Sequence, residues 1–236
     1  MKVIALIPAA GSGSRMMSAK EKKPYLSLGD KPILAHTLAE FEQCSLINEV
    51  ILIVSKDAID YCKTSIVEAF KVKKVNKVIA GGPRRHDSVW EGLKILKDDC
   101  KLVMVHDGVR PFVSQEILEK SVHEAANCRA TVAAIPVKDT IKIVSKQAEV
   151  VETIDRSRVW AAQTPQTFTH NVLKMAYEKA FEDGFYGTDD ASLVERLGIK
   201  VKIIPGSYDN IKITTPGDLV LGDAVLKRRA YKMHDA

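Results

Sequence analysis

Solid apolar runs alternate along the chain with stretches whose apolar residues recur every three or four positions. The runs Val3–Ile7, Val50–Val54, Lys77–Ala80, Leu102–His106, Thr131–Ile135 and Val201–Ile204 predict short buried strands, with Pro8 ending the first ladder. Helical spacing falls between them, over Pro32–Gln43, Ala58–Phe70, Asp87–Lys97, Ser114–Ala126, His170–Phe181, Asp190–Leu197 and Pro216–Arg229. Pro32 and Pro216 suit the first turn of a helix, and Ser114 suits an N-cap. Strands that are apolar throughout and joined by helices predict an α/β fold: a mainly parallel, Rossmann-like sheet with helices on both faces. Ligands in such sheets lie beyond the carboxyl ends of the strands.

One stretch breaks the alternation. Val137–Val144 and Val150–Ile154 alternate in polarity around a polar turn and predict a β-hairpin. It is too polar for the core, yet Ile141, Ile143, Val150 and Ile154 are more β-branched apolar side chains than a solvated flap needs. We therefore expect one domain over residues 1–236, with a protruding arm at about 137–158 that packs on a second copy of the chain in a homodimer.

Composition narrows the classes. The chain has 236 residues, 46% of them hydrophobic, enough for one sizeable core. No apolar run approaches the ~20 residues of a membrane span, and the first residues form no signal peptide, so neither membrane nor export is expected. Four widely spaced cysteines, with no C-x-x-C pair, read as reduced thiols of a cytoplasmic protein. A net charge of +5 is mild; it suits a small anionic ligand and does not call for nucleic acid.

Candidate chemistry sits in the loops. Pro8-Ala9-Ala10-Gly11, with Gly13 and Arg15 beyond, follows the first strand, and its glycines permit close backbone approach to an anion. It is neither a dinucleotide fingerprint, which needs glycine where Met16 stands, nor a Walker loop. Gly81–Val89 ends one strand and opens a helix, bringing Gly82 and Ser88. Asp107 ends another strand and is either a magnesium-holding carboxylate or a turn residue. His106 reads as structural. Arg110 would bind an anion or a neighbouring carboxylate. Asp155–Phe168 reads as a further loop, in which Thr164 is a plain turn residue or a contact. Lys212 lies in an alternating segment, and Asp189-Asp190 read as helix-capping residues.

Taken together, "PAAGSGSRM", "KKPYLSLGDKPIL", "GGPRRHDSV", "VHDGVRPF", "PVKDTIK", "DRSRVWAAQTPQTF", "GTDDASLVE" and "DNIKITTP" run in this order over nearly the whole chain. This series resembles the 2-C-methyl-D-erythritol 4-phosphate cytidylyltransferase family of the non-mevalonate isoprenoid pathway. The ribitol 5-phosphate cytidylyltransferases share the glycine loop and "TPQTF", but "PVKDTIK" and "DRSRVW" look more like the erythritol family. The resemblance implies a nucleotidyltransferase fold, a homodimer joined by the arm, and a magnesium-dependent reaction of CTP with a sugar-alcohol phosphate. It further implies that the loop from Pro8 to Gly13 wraps the triphosphate while Arg15 and Lys23 (or Lys22, one residue earlier) neutralise it. Gly82 and Ser88 would meet the cytidine, although Pro83 stands where the family often has an acidic residue. Asp107 would lie between nucleotide, metal and substrate, with Arg110 and Thr164 nearby. Thr140 and Arg156 would reach the partner subunit's substrate phosphate, and Lys212 would steer that phosphate toward attack.

Overall fold

Val3, Ala5 and Ile7 of the first strand point to one side and Ile4 and Leu6 to the other, and all five are buried, because this strand runs through the middle of the sheet. The computed structural model describes residues 1–11 and 22–234. In chain order the elements are β1 (Lys2–Pro8), β2 (Ser27–Leu28), β3 (Lys31–Pro32), α1 (Ile33–Gln43), β4 (Glu49–Val54), α2 (Ile59–Tyr61), β5 (Val75–Ala80) and α3 (Arg85–Lys94). Then come β6 (Cys100–Val105), α4 (Gln115–Cys128), β7 (Ala130–Pro136), β8 (Lys142–Val144), β9 (Val150–Thr153) and β10 (Trp160–Thr169). The last are α5 (His170–Glu182), α6 (Asp190–Arg196), β11 (Lys202–Pro205) and α7 (Pro216–His234).

Seven strands form one sheet in the order β11-β7-β10-β6-β1-β4-β5. Strands β1, β4, β5 and β6 pair in parallel, as do β7 and β11; β10 runs antiparallel between β6 and β7. Helices α1 and α4 cover one face through Leu38, Phe41, Leu118 and Val122. Helices α3, α5 and α6 cover the other through Leu93, Leu173, Tyr177 and Val194. A third, smaller cluster joins Leu28, Ile33, Phe112 and Ile213 to Val225 of α7. The mainly parallel sheet and its two helical faces match the sequence expectation.

Three local readings need correction. Residues 160–169 are a strand and not a loop. Proline cannot donate to a ladder, so Pro165 is an unusual residue for a central strand. The chain accommodates it in an irregularity: pairing with β7 breaks between Ala162 and Gln166, and the Thr164–Pro165 bond is cis. The predicted helix at 58–70 is a 3₁₀ turn, one α turn and a π segment over Cys62–Glu68. Pro8 also stays in the first ladder as its last residue, paired with Ile53. The arm is as expected a hairpin, in which β8 and β9, among the described residues, pair only with each other.

Candidate active site

The loops after three parallel strands, β1, β5 and β6, are laced to their neighbours. The N–H of Ala9 donates to Ile53 (2.7 Å), that of Gly81 to Val54 (2.7 Å), that of His106 to Leu6 (3.0 Å) and that of Gly108 to Pro8 (3.2 Å). Close packing explains two of the glycines. A Cβ on Gly82 would lie 2.4 Å from Cβ of Asp87, and one on Gly108 would lie 2.9 Å from Cβ of Ala9. These loops therefore meet at one end of the sheet and enclose space there.

Two cavities open between them. The larger, about 570 Å³, has Pro8, Ala9, Ala10 and Gly11 on one wall, Gly82–Arg85 and Ser88 on another, and Lys23 and Pro24 at its edge. The smaller, about 250 Å³, is bounded by Arg110, Gln163, Thr164, Gln166, Thr188 and Asp189. Arg85, Asp107 and Lys212 border both.

Asp107 is the centre of this shared wall. It is buried, and its Oδ1 accepts from Arg85 Nε at 3.1 Å, while Oδ2 faces Lys212 Nζ at 2.8 Å and Arg110 Nε at 3.4 Å. Burial alone would raise its pKa; the charges of Arg85, Lys212 and Arg110 outweigh that and hold the carboxyl well below the usual range. Arg85 is held in turn: its Nη2 donates to Asp190 Oδ2 at 2.7 Å, and Tyr177 donates to Asp190 Oδ1 at 2.5 Å. Burial works against the Arg85 charge, but Asp190 and Asp107 raise its pKa further above the ordinary value. Arg110 is fixed by the Asn210 carbonyl, 2.7 Å from its Nη1. For Lys212, Asp107 is the ion-pair partner among the described residues.

The strand that the sequence concealed ties these parts together. The Thr164 hydroxyl oxygen accepts from the Asp107 N–H at 3.0 Å and lies 3.1 Å from His106 Nδ1. The other ring nitrogen of His106 lies 3.1 Å from the Arg110 carbonyl, which can only accept. Nε2 therefore carries the proton, and Thr164 donates to Nδ1. Burial lowers the His106 pKa to about 4, so the ring is neutral and structural, as expected. Gln163 binds the segment before Lys212 through Ser207 and Asn210. Gln166 binds the start of α6 through Asp189 (2.7 Å) and the Ala191 N–H (2.8 Å). One short run of β10 thus fixes the loops carrying Asp107, Lys212 and Asp190.

Of the residues singled out in the sequence, Pro8, Ala9, Ala10, Gly11, Lys23, Gly82, Ser88, Asp107 and Lys212 come together around the larger cavity. Asp107, Arg110, Thr164 and Lys212 come together around the smaller. Lys22 instead donates to Ser55 (2.8 Å) and Asp57 (2.5 Å). Gly13 and Arg15 lie outside the described residues. Thr140 and Arg156 border neither cavity of their own chain; Thr140 is exposed, and Arg156 donates to the Lys138 carbonyl at 2.6 Å. The sequence reading missed Arg84, which stacks over Tyr186 at the cavity edge, and the pair of half-buried Arg85 with buried Asp190. A signal was present: two arginines at a helix start oppose the helix dipole and call for acidic partners. Asp189 does cap α6, through the Ser192 N–H at 2.9 Å, but Asp190 beside it is fully buried and turned to Arg85.

Comparison with known proteins agrees with this picture. The sequence model of the family described as "IspD: 2-C-methyl-D-erythritol 4-phosphate cytidylyltransferase" matches residues 3–228. The chain is 48% identical over 228 residues to the 2-C-methyl-D-erythritol 4-phosphate cytidylyltransferase of Alkaliphilus metalliredigens, covering 97% of this chain and 94% of that one. It is 45% identical to that of Syntrophus aciditrophicus, covering 96% and 97%. A crystal structure of 4-diphosphocytidyl-2C-methyl-D-erythritol synthase from Anaerococcus prevotii superposes with a TM-score of 0.85 at 37% identity, over 96% of both chains. The Thermus thermophilus cytidylyltransferase superposes with a TM-score of 0.78 at 32% identity, over 96% of this chain and 100% of that one. Sequence and fold agree over nearly the full length, and the chain belongs to the 2-C-methyl-D-erythritol 4-phosphate cytidylyltransferase family.

Proposed function

We propose that the protein transfers the cytidylyl group of CTP to 2-C-methyl-D-erythritol 4-phosphate, giving 4-CDP-2-C-methyl-D-erythritol and pyrophosphate for non-mevalonate isoprenoid synthesis. The observation that carries this reading is the shared wall: two cavities meet at Asp107, flanked by Arg85 and Lys212. Two polyanions must be brought together for this reaction, and a junction rich in fixed cations suits that task. CTP takes the larger cavity and the sugar-alcohol phosphate takes the smaller.

An oxygen of the substrate phosphate attacks the α-phosphorus of CTP, and the bond to the β-phosphate oxygen breaks, so pyrophosphate leaves with the electron pair. No side chain needs to act as a nucleophile. Positioning and charge stabilisation supply most of the catalysis, as in other phosphoryl transfers. Ala9 spends its N–H on Ile53, so backbone donors to the triphosphate come from Ala10 onward. Lys23 and Arg15 neutralise the reacting phosphates, and Lys212 leaves Asp107 to meet the attacking one. Arg110 and Thr164 line the substrate recess. Gly82 and Ser88 face the cytidine; Pro83 has no N–H to offer it.

The family implies magnesium. Among the described residues no three His, Cys, Asp or Glu side chains are grouped to hold a metal on their own. Magnesium does not need such a group, since one or two carboxylates with phosphate oxygens and water suffice. Asp107, a buried carboxylate on the cavity wall, fits that part. Bound there on the triphosphate, the ion would neutralise phosphate charge.

A homodimer completes the site in this reading. Ile143, Val144, Val150 and Val151 of the arm are all exposed in the single chain, which supports burial against a second copy. Thr140 and Arg156, remote from their own cavities, then grip the substrate phosphate of the partner subunit. A cytoplasmic setting is supported by four free cysteines, and no helix of the described residues is long and apolar enough to cross a membrane.

The test is substrate choice. Purified protein with magnesium and CTP is offered methylerythritol 4-phosphate or ribitol 5-phosphate, and pyrophosphate is measured. Release with the first and not the second is expected. The reverse preference would move the protein to a different sugar-alcohol phosphate.

A further inference from the structure

The chain of contacts from buried Tyr177 and Asp190 through half-buried Arg85 ends on Asp107 and has no evident task in holding the fold together. Helix α6 is anchored by Ala191, Leu193 and Val194, which are buried against the sheet, and is capped by Asp189. The Tyr177 ring already stacks on Trp90, with centroids 6.1 Å apart, and packs on Phe181; neither contact needs its hydroxyl. Buried ion pairs are poor sources of stability, because desolvation offsets their attraction. Asp190 and Tyr177 are nevertheless 0% exposed, and both carboxylate oxygens of Asp190 are used, one by Tyr177 and one by Arg85.

We propose that Asp190 and Tyr177 are positioning residues that act through Arg85 on Asp107. The two carboxylates hold neighbouring N–H groups on one edge of the guanidinium, Nη2 at 2.7 Å and Nε at 3.1 Å. A clamped guanidinium fixes Oδ1 of Asp107. Oδ2 is left as the exchangeable oxygen, shared by Arg110 and Lys212. Lys212 is then free to change partners when a phosphate arrives while the carboxylate stays in register. Lysine at position 85 would keep the charge but could not span both carboxylates in a fixed plane. This inference rests on the placement of Asp107 at the reacting phosphates, so its test includes Asp107 itself.

Steady-state rates are measured for Asp190→Asn, Tyr177→Phe and Arg85→Lys, each in the parent and in an Asp107→Asn background, with circular dichroism as a check on folding. In the parent, kcat falls roughly tenfold or more for Asp190→Asn and Arg85→Lys, the scale for losing a group that orients a site residue. KM for CTP changes by less than about threefold, since the cavity walls remain. Tyr177→Phe, which removes a single oxygen, lowers kcat less but in the same sense, and it carries the test if Asp190→Asn does not fold. In the Asp107→Asn background the same substitutions add nothing, because they act through the missing carboxylate. Folded Asp190→Asn and Tyr177→Phe proteins with parental kcat, or losses that multiply in the Asp107→Asn background, would overturn the positioning role alone. Parental kcat in Asp107→Asn itself would overturn the site assignment, and the positioning role with it.

Discussion

Lys22 donates to Ser55 and Asp57, whereas its neighbour Lys23 borders the larger cavity. We expect Lys23→Ala to lower kcat by about two to three powers of ten, the scale for one preorganised charge-stabilising donor. Lys22→Ala should stay within about threefold of the parent, and parallel turnover assays of the two variants check the contrast. A loss confined to Lys22→Ala would reverse the assignment. Which lysine faces the cavity was not legible in the sequence, since adjacent lysines after a glycine loop differ only in the direction the backbone gives them. Asp107 was legible as a polar residue at a strand end. Arg110, three residues on, was legible as a partner for an anion or a neighbouring carboxylate, but Arg85 and Lys212 were not legible as partners of Asp107, because they come from two distant segments. Asp190 was hidden by its neighbour: two aspartates at a helix start both look like caps, and only burial separates the cap from the ion pair.

The strand that binds the site together, β10, is also the element the sequence concealed. Most strands were legible because burial on both faces makes them solidly apolar. In β10 the residues Gln163, Thr164 and Gln166 are buried yet polar, since their side chains hold loops and not the core. Pro165 among them has no N–H for the ladder. Helix patterns were read more safely, and Ser114 caps α4 as expected, its oxygen accepting from the Ile117 N–H at 3.3 Å. The role of β10 predicts the outcome of Thr164→Val, which keeps the shape but removes the hydroxyl between Asp107 and His106. The Asp107 N–H then lacks its acceptor, and stability should fall by roughly 1–3 kcal/mol, the cost of a buried unsatisfied group. Urea denaturation measures this, and turnover should fall with it as Asp107 loses its register. Unchanged stability and rate would mean that the hydroxyl has no such role.

At the scale of the whole molecule, the arm's strands pair only with each other among the described residues, and its exposed apolar residues support the homodimer proposed above. The hairpin was legible from its alternation, but a single chain does not bury it. Mixing an Arg156→Ala chain with a Lys212→Ala chain tests shared sites. Random exchange makes half of the dimers mixed, each with one intact site of two, so about a quarter of parental activity should return. No recovery despite demonstrated exchange would place Arg156 in its own chain's service or in none. The central claim is that two substrates meet at Asp107 and react directly, with cations positioned around them and no covalent step on the protein. Stereochemistry at phosphorus tests this most directly. Cytidine 5′-(1-thiotriphosphate) of one α-phosphorus configuration is turned over with methylerythritol 4-phosphate, and the configuration of the product is determined. A single in-line displacement inverts the centre, and inversion is the predicted result. Retention would require two displacements through a covalent cytidylyl-enzyme, and would contradict the account.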